Sequence, residues 1–138
     1  MSENIKRVTP PEAAAILNED DSAVLIDVRS KVEFDYVGHP VGAVNIIWKD
    51  SPAWEENTRF VEQVRAHLAD NGGDVPTRPI LSICRSGARS MAAAKLLESA
   101  GYSNLYNVEE GFEGDKDENS HRRCVNGWLF HDLAWEQT

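Results

Sequence analysis

Cysteine is scarce in this chain: Cys84 and Cys124 are the two in 138 residues. A secreted disulfide scaffold carries more, so both are expected to stay as thiols. Basic residues are outnumbered, 14 Lys and Arg against 23 Asp and Glu, for a formal net charge of -9. That balance argues against nucleic-acid backbones and anionic membranes as partners. No apolar run reaches the roughly 18 residues that a membrane span needs. The four histidines, His39, His67, His121 and His131, lack HxxxH or HxH spacing, so no metal site is expected. The opening Met1-Ser2-Glu3-Asn4-Ile5-Lys6-Arg7 leads into no apolar segment, so no secretory signal is expected and a reducing cytoplasm is the expected location. Internal repeats and low-complexity stretches are absent.

The remaining composition is that of a globular protein, 41% hydrophobic. The length predicts a single domain over residues 1–138, large enough to bury a core without disulfides or metals. Thr9-Pro10-Pro11-Glu12 has the pattern of a capping box with proline at the first helical position, and predicts a helix over 10–18. Ala23 to Val28 is a continuous apolar run ending in an acid, suited to a strand buried on both faces. Ser30 is placed to cap a helix through Tyr36, and Gly38-His39-Pro40-Val41-Gly42 is a turn before a short strand over 43–47. Phe60, Val61, Val64 and Leu68 fall at helical spacing within 58–69. Ile80 to Ile83 is a third strand, Arg89 to Ala100 a helix, and Asn104 to Val108 a fourth strand. Strands alternating with helices predict an α/β fold: a mainly parallel central sheet with helices on both faces. Right-handed crossovers then put the loop at Cys84 at the carboxyl end of a central strand, where open α/β sheets place their sites.

That loop, Cys84-Arg85-Ser86-Gly87-Ala88-Arg89, follows a strand and opens a helix. The order puts the thiol in a ring of backbone N–H groups beside a helix N-terminus, and both stabilise negative charge. The thiolate is the nucleophile of cysteine chemistry. Arg85 and Arg89 are placed to hold an anionic substrate. Ser86 and Ser90 add donors, and Gly87 supplies the backbone freedom a tight ring needs.

Several further segments accompany the loop: Leu25-Ile26-Asp27-Val28-Arg29, Glu33-Phe34, Gly38-His39-Pro40-Val41-Gly42-Ala43-Val44-Asn45, Gly101-Tyr102 and Val108-Glu109-Glu110-Gly111. This set, in this order, resembles the rhodanese domain over roughly residues 5–114. The resemblance implies an α/β sulfurtransferase in which Cys84 takes a sulfur atom from a donor such as thiosulfate, becomes a persulfide, and passes the sulfur to a nucleophile. Thiols and cyanide are suitable acceptors, and a sulfur-carrier or thioredoxin-like protein is a further expected partner. The chemistry requires no metal and no organic cofactor.

Two rival functions stand beside this one. A cysteine-dependent phosphatase or arsenate reductase would use the same thiolate. Related phosphatases, however, hold one residue more between cysteine and arginine than the four here, and the shorter ring suits a sulfur atom better than a phosphoryl group. A non-catalytic interaction module is the other rival, and retention of Cys84 counts against it.

Other residues are open to two readings. Asp27 either supports the loop or acts structurally. Arg29 either shapes the site rim or pairs with Glu33 one helical turn on. Cys124 is either a resolving thiol for Cys84 or a bystander. Residues 115–138 form an extension carrying Trp128, Phe130 and Trp135, too much aromatic surface to leave in water. It is expected to pack on the core and help close the pocket, with Trp128 and Trp135 either walling that pocket or covering the sheet edge.

Overall fold

The computed structural model describes residues 5–50 and 53–138. The chain begins with strand β1 (Ile5–Val8), then helix α1 (Pro10–Glu19) and strand β2 (Val24–Asp27). A π-helical turn over Glu33–Val37 precedes the short strands β3 (His39–Pro40) and β4 (Val44–Asn45). A small hairpin joins β5 (Lys49–Asp50) to β6 (Glu55–Glu56). Helix α2 (Phe60–Asp70), strand β7 (Ile80–Ile83), helix α3 (Ala88–Ser99), strand β8 (Leu105–Val108) and strand β9 (Trp135–Glu136) complete it.

Five strands form the main sheet in the order β1-β8-β7-β2-β4, and every pairing is parallel. All residues of β2 and β7 are buried, which is why both read as unbroken apolar runs. One face packs on α2 and α3 through Phe60, Val64, Leu68, Ala93, Ala94 and Leu97. The other packs on α1 and on Trp128 from the C-terminal segment. The α/β architecture expected from the sequence is the one found.

Local chemistry sets the element ends. The Thr9 hydroxyl accepts from the Glu12 N–H at 3.4 Å, and the Glu12 carboxylate accepts from the Thr9 N–H at 2.8 Å, so α1 starts on a reciprocal cap. The helix read over 30–36 has its cap, since the Glu33 N–H donates to the Ser30 hydroxyl at 3.2 Å, but the turn is wider than an α-helix. Strand β1 has no counterpart among the strands that the sequence predicts. It lies at the sheet edge with Lys6 and Arg7 exposed, and two adjacent charges hide the alternation that marks a strand.

The C-terminal segment folds back. β9 pairs antiparallel with β3, and the Trp128 N–H donates to the Gly111 carbonyl at 2.9 Å. Trp128 is 4% exposed. Trp135 is partly exposed and lies edge-on to Phe112, against Gly38. No helix among the described residues is long and apolar enough to cross a membrane.

Candidate active site

Cys84 follows the last residue of β7 at the carboxyl end of the sheet and is 1% exposed. Two donors reach its Sγ: the Gly87 N–H at 3.0 Å and the Ser90 hydroxyl at 3.3 Å. Gly87 has φ +111, a conformation that side chains rarely adopt, and that turn brings its N–H onto the sulfur while opening α3.

The loop is clasped from behind by the segment leaving β8. The Phe112 N–H donates to the Cys84 carbonyl at 2.8 Å, and the N–H groups of Glu113 and Gly114 donate to the Arg85 carbonyl at 3.0 and 3.1 Å. In a trans peptide the C=O and the following N–H point in opposite directions. With the carbonyls of Cys84 and Arg85 tied to the clasp, the N–H groups of Arg85 and Ser86 point away from it.

A pocket of about 200 Å³ opens over the loop, lined by Trp54, Cys84, Arg85, Ser86, Ala88 and Arg89. A larger hollow of about 440 Å³, bounded by Ser22, Asn71, Arg78 and Asn104, lies at the amino ends of the strands, away from Cys84. Its Arg78 is held by the carbonyls of Ser22 and Gly73.

The two loop arginines stand in different surroundings. Arg89 makes a two-pronged ion pair with Glu33, at 2.8 and 2.9 Å, with the Trp54 ring 5.2 Å from its guanidinium carbon. Its side chain is 12% exposed. Arg85 is exposed, and among the described residues its guanidinium makes no hydrogen bond or ion pair.

Burial alone would raise the pKa of the Glu33 carboxyl. The hydrogen bonds and charge of Arg89, with hydrogen bonds from Ser30, outweigh it and hold the group at about 2, against an ordinary 4.5. Burial likewise opposes the Arg89 charge, and Glu33 overcomes it, raising the guanidinium above its ordinary value. A carboxyl depressed on folding contributes stability that is present above its unfolded value and fades as pH falls through its folded one. The Glu33 contribution is therefore whole above about pH 4.5 and lost toward pH 2. Glu33→Gln is expected to flatten the melting-temperature curve across that window. An unaltered acid limb in that variant would show that the pair does not support the fold.

Arg29 departs from both sequence readings. It is fully buried, so it forms no rim, and it does not pair with Glu33. Its Nε and Nη2 bind the Asp27 carboxylate at 2.9 and 2.6 Å, Nη2 also donates to the Gly38 carbonyl, and the guanidinium lies 4.7 Å from the Phe112 ring centre. Asp27 is thereby occupied with Arg29. Contact between the end of β2 and β7 runs instead through the Val28 N–H, which donates to the Ile83 carbonyl at 3.0 Å.

Neither Trp128 nor Trp135 lines the pocket, so the C-terminal segment does not close it. Trp54 is the aromatic wall. It sits on the β5–β6 hairpin with φ +56 and is 46% exposed. Its surroundings in sequence, Asp50-Ser51-Pro52, have the character of a connector and carry no pattern that marks a site. Cys124 is exposed, with its sulfur 3.5 Å from the Arg122 carbonyl oxygen.

Fold and site together define an α/β protein with a buried cysteine in the loop that leaves the central strand of a parallel sheet. The rhodanese-like domain matches residues 9–118, and the chain belongs to that family. It is 33% identical over 113 residues to the thiosulfate sulfurtransferase GlpE of Pseudomonas putida, covering 82% of this chain and 86% of GlpE. It is 28% identical to the uncharacterized protein RC0915 of Rickettsia conorii, covering 96% of this chain and 98% of the other. Among solved structures, Rv0390 from M. tuberculosis superposes with a TM-score of 0.83 at 34% identity, covering 96% of this chain and 98% of that one.

Proposed function

We propose that this protein is a sulfurtransferase that carries sulfane sulfur as a persulfide on Cys84, with thiosulfate as a donor. The observation that carries the reading is the placement of the Cys84 sulfur under two donors, at the floor of a small pocket whose other walls include Arg85 and Arg89. The match to GlpE, named a thiosulfate sulfurtransferase, supports the choice of donor.

In the first half-reaction the Cys84 thiolate attacks the outer sulfur of thiosulfate. A new S–S bond forms, the old one breaks, and sulfite leaves with its electron pair. Arg85 meets the incoming oxyanion at the mouth, and Arg89 provides a fixed positive wall. In the second half-reaction a nucleophile takes the outer sulfur, and the electron pair of the S–S bond returns to Cys84. Cyanide or a small thiol serves as acceptor, and a sulfur-carrier or thioredoxin-like protein fits the same step. A pocket of about 200 Å³ favours a small anion over a phosphorylated side chain.

Intact mass spectrometry after incubation with thiosulfate tests the reading. The protein is expected to gain one sulfur atom and lose it to cyanide or dithiothreitol, while Cys84→Ser gains none. A mass that never rises, or that rises equally in Cys84→Ser, overturns the proposal; phosphoester hydrolysis in its place would establish the phosphatase reading.

Arg85→Ala is expected to lower kcat/KM for thiosulfate tenfold or more, because a hydrogen bond to a charged group contributes about 1.5–3 kcal/mol. Its exposed position predicts little change in melting temperature. Unchanged thiosulfate turnover would make an uncharged persulfide the better donor.

A further inference from the structure

A buried amide in the middle of a parallel sheet needs partners. Asn107 lies on β8, opposite Ser82 of β7, and is 3% exposed. Its Nδ2 donates to the Gly87 carbonyl at 3.2 Å, and its Oδ1 accepts from the Ser90 hydroxyl at 2.5 Å. The same hydroxyl is 3.3 Å from the Cys84 Sγ and 3.2 Å from the Gly87 carbonyl oxygen. One hydroxyl hydrogen therefore faces three acceptors, and it serves one of them well at a time.

The charge on sulfur decides which. While Cys84 is a thiol, its S–H can donate to the Ser90 oxygen, and the hydroxyl hydrogen turns to Asn107. A sulfur anion is a stronger acceptor than a neutral amide oxygen. The hydrogen then turns to the sulfur, and Asn107 loses it.

We propose that Asn107 is a positioning residue that acts through Ser90: it holds the Ser90 hydroxyl while Cys84 is neutral and yields it to the sulfur when negative charge arrives there. The inference rests on the proposed function, in which charge reaches the Cys84 sulfur each time the persulfide gives up its outer atom. As that S–S bond breaks, its electron pair stays on Sγ, and the Ser90 hydrogen swings toward it without leaving its own oxygen. No proton changes hands in the swing, so the movement needs no separate acid or base.

A merely structural role, tying the Gly87 carbonyl to β8, would give a different signature. An amide that acts through Ser90 stabilises only the neutral state of Cys84. Removing it should favour the anion, and should do nothing once Ser90 is gone.

Iodoacetamide labelling of the full chain, followed peptide by peptide between about pH 5 and pH 9, reads this directly. The exposed Cys124 is the internal reference. Asn107→Leu is expected to label Cys84 about threefold to tenfold faster on the acid limb, the worth of one competing hydrogen bond, with an unchanged alkaline plateau. Ser90→Ala alone is expected to slow the acid limb. In the Ser90→Ala background, Asn107→Leu is expected to add nothing. The same acceleration in that background, a change confined to the plateau, or Ser90→Ala labelling like the unsubstituted protein each overturns the proposal. Asn107→Ala repeats the cycle if leucine prevents folding, and Ser90→Ala, the smaller change, stands as its own test. Labelling uses no sulfur donor. Failure to form a persulfide would therefore overturn the proposed function while the cycle is still read.

Discussion

An alanine at position 111 is expected to remove most of the sulfur transfer and to lower the melting temperature by about 10 °C. Gly111 has φ +70, and a Cβ built there would sit 2.5 Å from the Arg85 carbonyl carbon and oxygen and 2.6 Å from the Cys84 oxygen. These are backbone atoms, which cannot swing aside as a side chain would. An L-residue at positive φ costs about 1–2 kcal/mol, and forcing a group into filled space costs a further 1–3 or so. At this chain length each kcal/mol corresponds to roughly 2–5 °C, which gives the expected shift. The loop can escape the collision only by moving Gly111 away, and that breaks the hydrogen bond from the Phe112 N–H to the Cys84 carbonyl. Thermal melts and thiosulfate turnover of Gly111→Ala measure both effects. Full turnover in a destabilised variant would show that the clasp supports the fold without shaping the loop.

Truncation after Gly114 is expected to have the second large effect, and it should fall on stability first. Trp128 is packed in the second core with Phe112, Leu25 and Leu81, and its indole N–H donates to the Ala134 carbonyl at 3.0 Å. The Leu129 N–H donates to the Phe112 carbonyl, so the segment also holds the clasp. Burying one such side chain contributes about 1.5–3 kcal/mol, and Leu129 and Leu133 pack beside it. Loss of the segment is expected to lower the melting temperature by about 10 °C or more. No residue of 115–138 lines the pocket, so KM for thiosulfate should change little where the shortened chain is folded. A truncated chain that melts with the full one would show the segment to be a free arm.

What could be read from the residues follows physical lines. β2 and β7 are legible because strands buried on both faces are apolar without interruption. α1 is legible because Thr9 and Glu12 cap it within one turn. The loop at Cys84 is legible because its residues are consecutive. Contacts between distant residues are not. Glu33 and Arg89 are 56 positions apart, and local spacing offered Arg29 as the partner instead. The burial of Arg29 is not legible because an arginine in a full core is rare, and nothing nearby in sequence announces the Gly38 carbonyl and Phe112 ring that receive it. Trp54 reaches the pocket on a hairpin of two-residue strands, too short to give any periodicity. Asn107 sits in a strand of otherwise hydrophobic pattern, and its partners arrive from another segment.

The antiparallel pairing of β9 with β3 also bears on how the molecule would tolerate a break. Residues 115–120 are largely exposed, while the chain beyond them is anchored by Trp128, by the ladder at His39–Pro40 and by the Thr138 N–H on the Asp35 carbonyl. A single protease cut in 115–120 would therefore yield two fragments that stay docked, the shorter one acting as a bound peptide. The two fragments could be made separately and mixed, with binding of the C-terminal peptide reporting on the order of the cysteine loop without any substrate present.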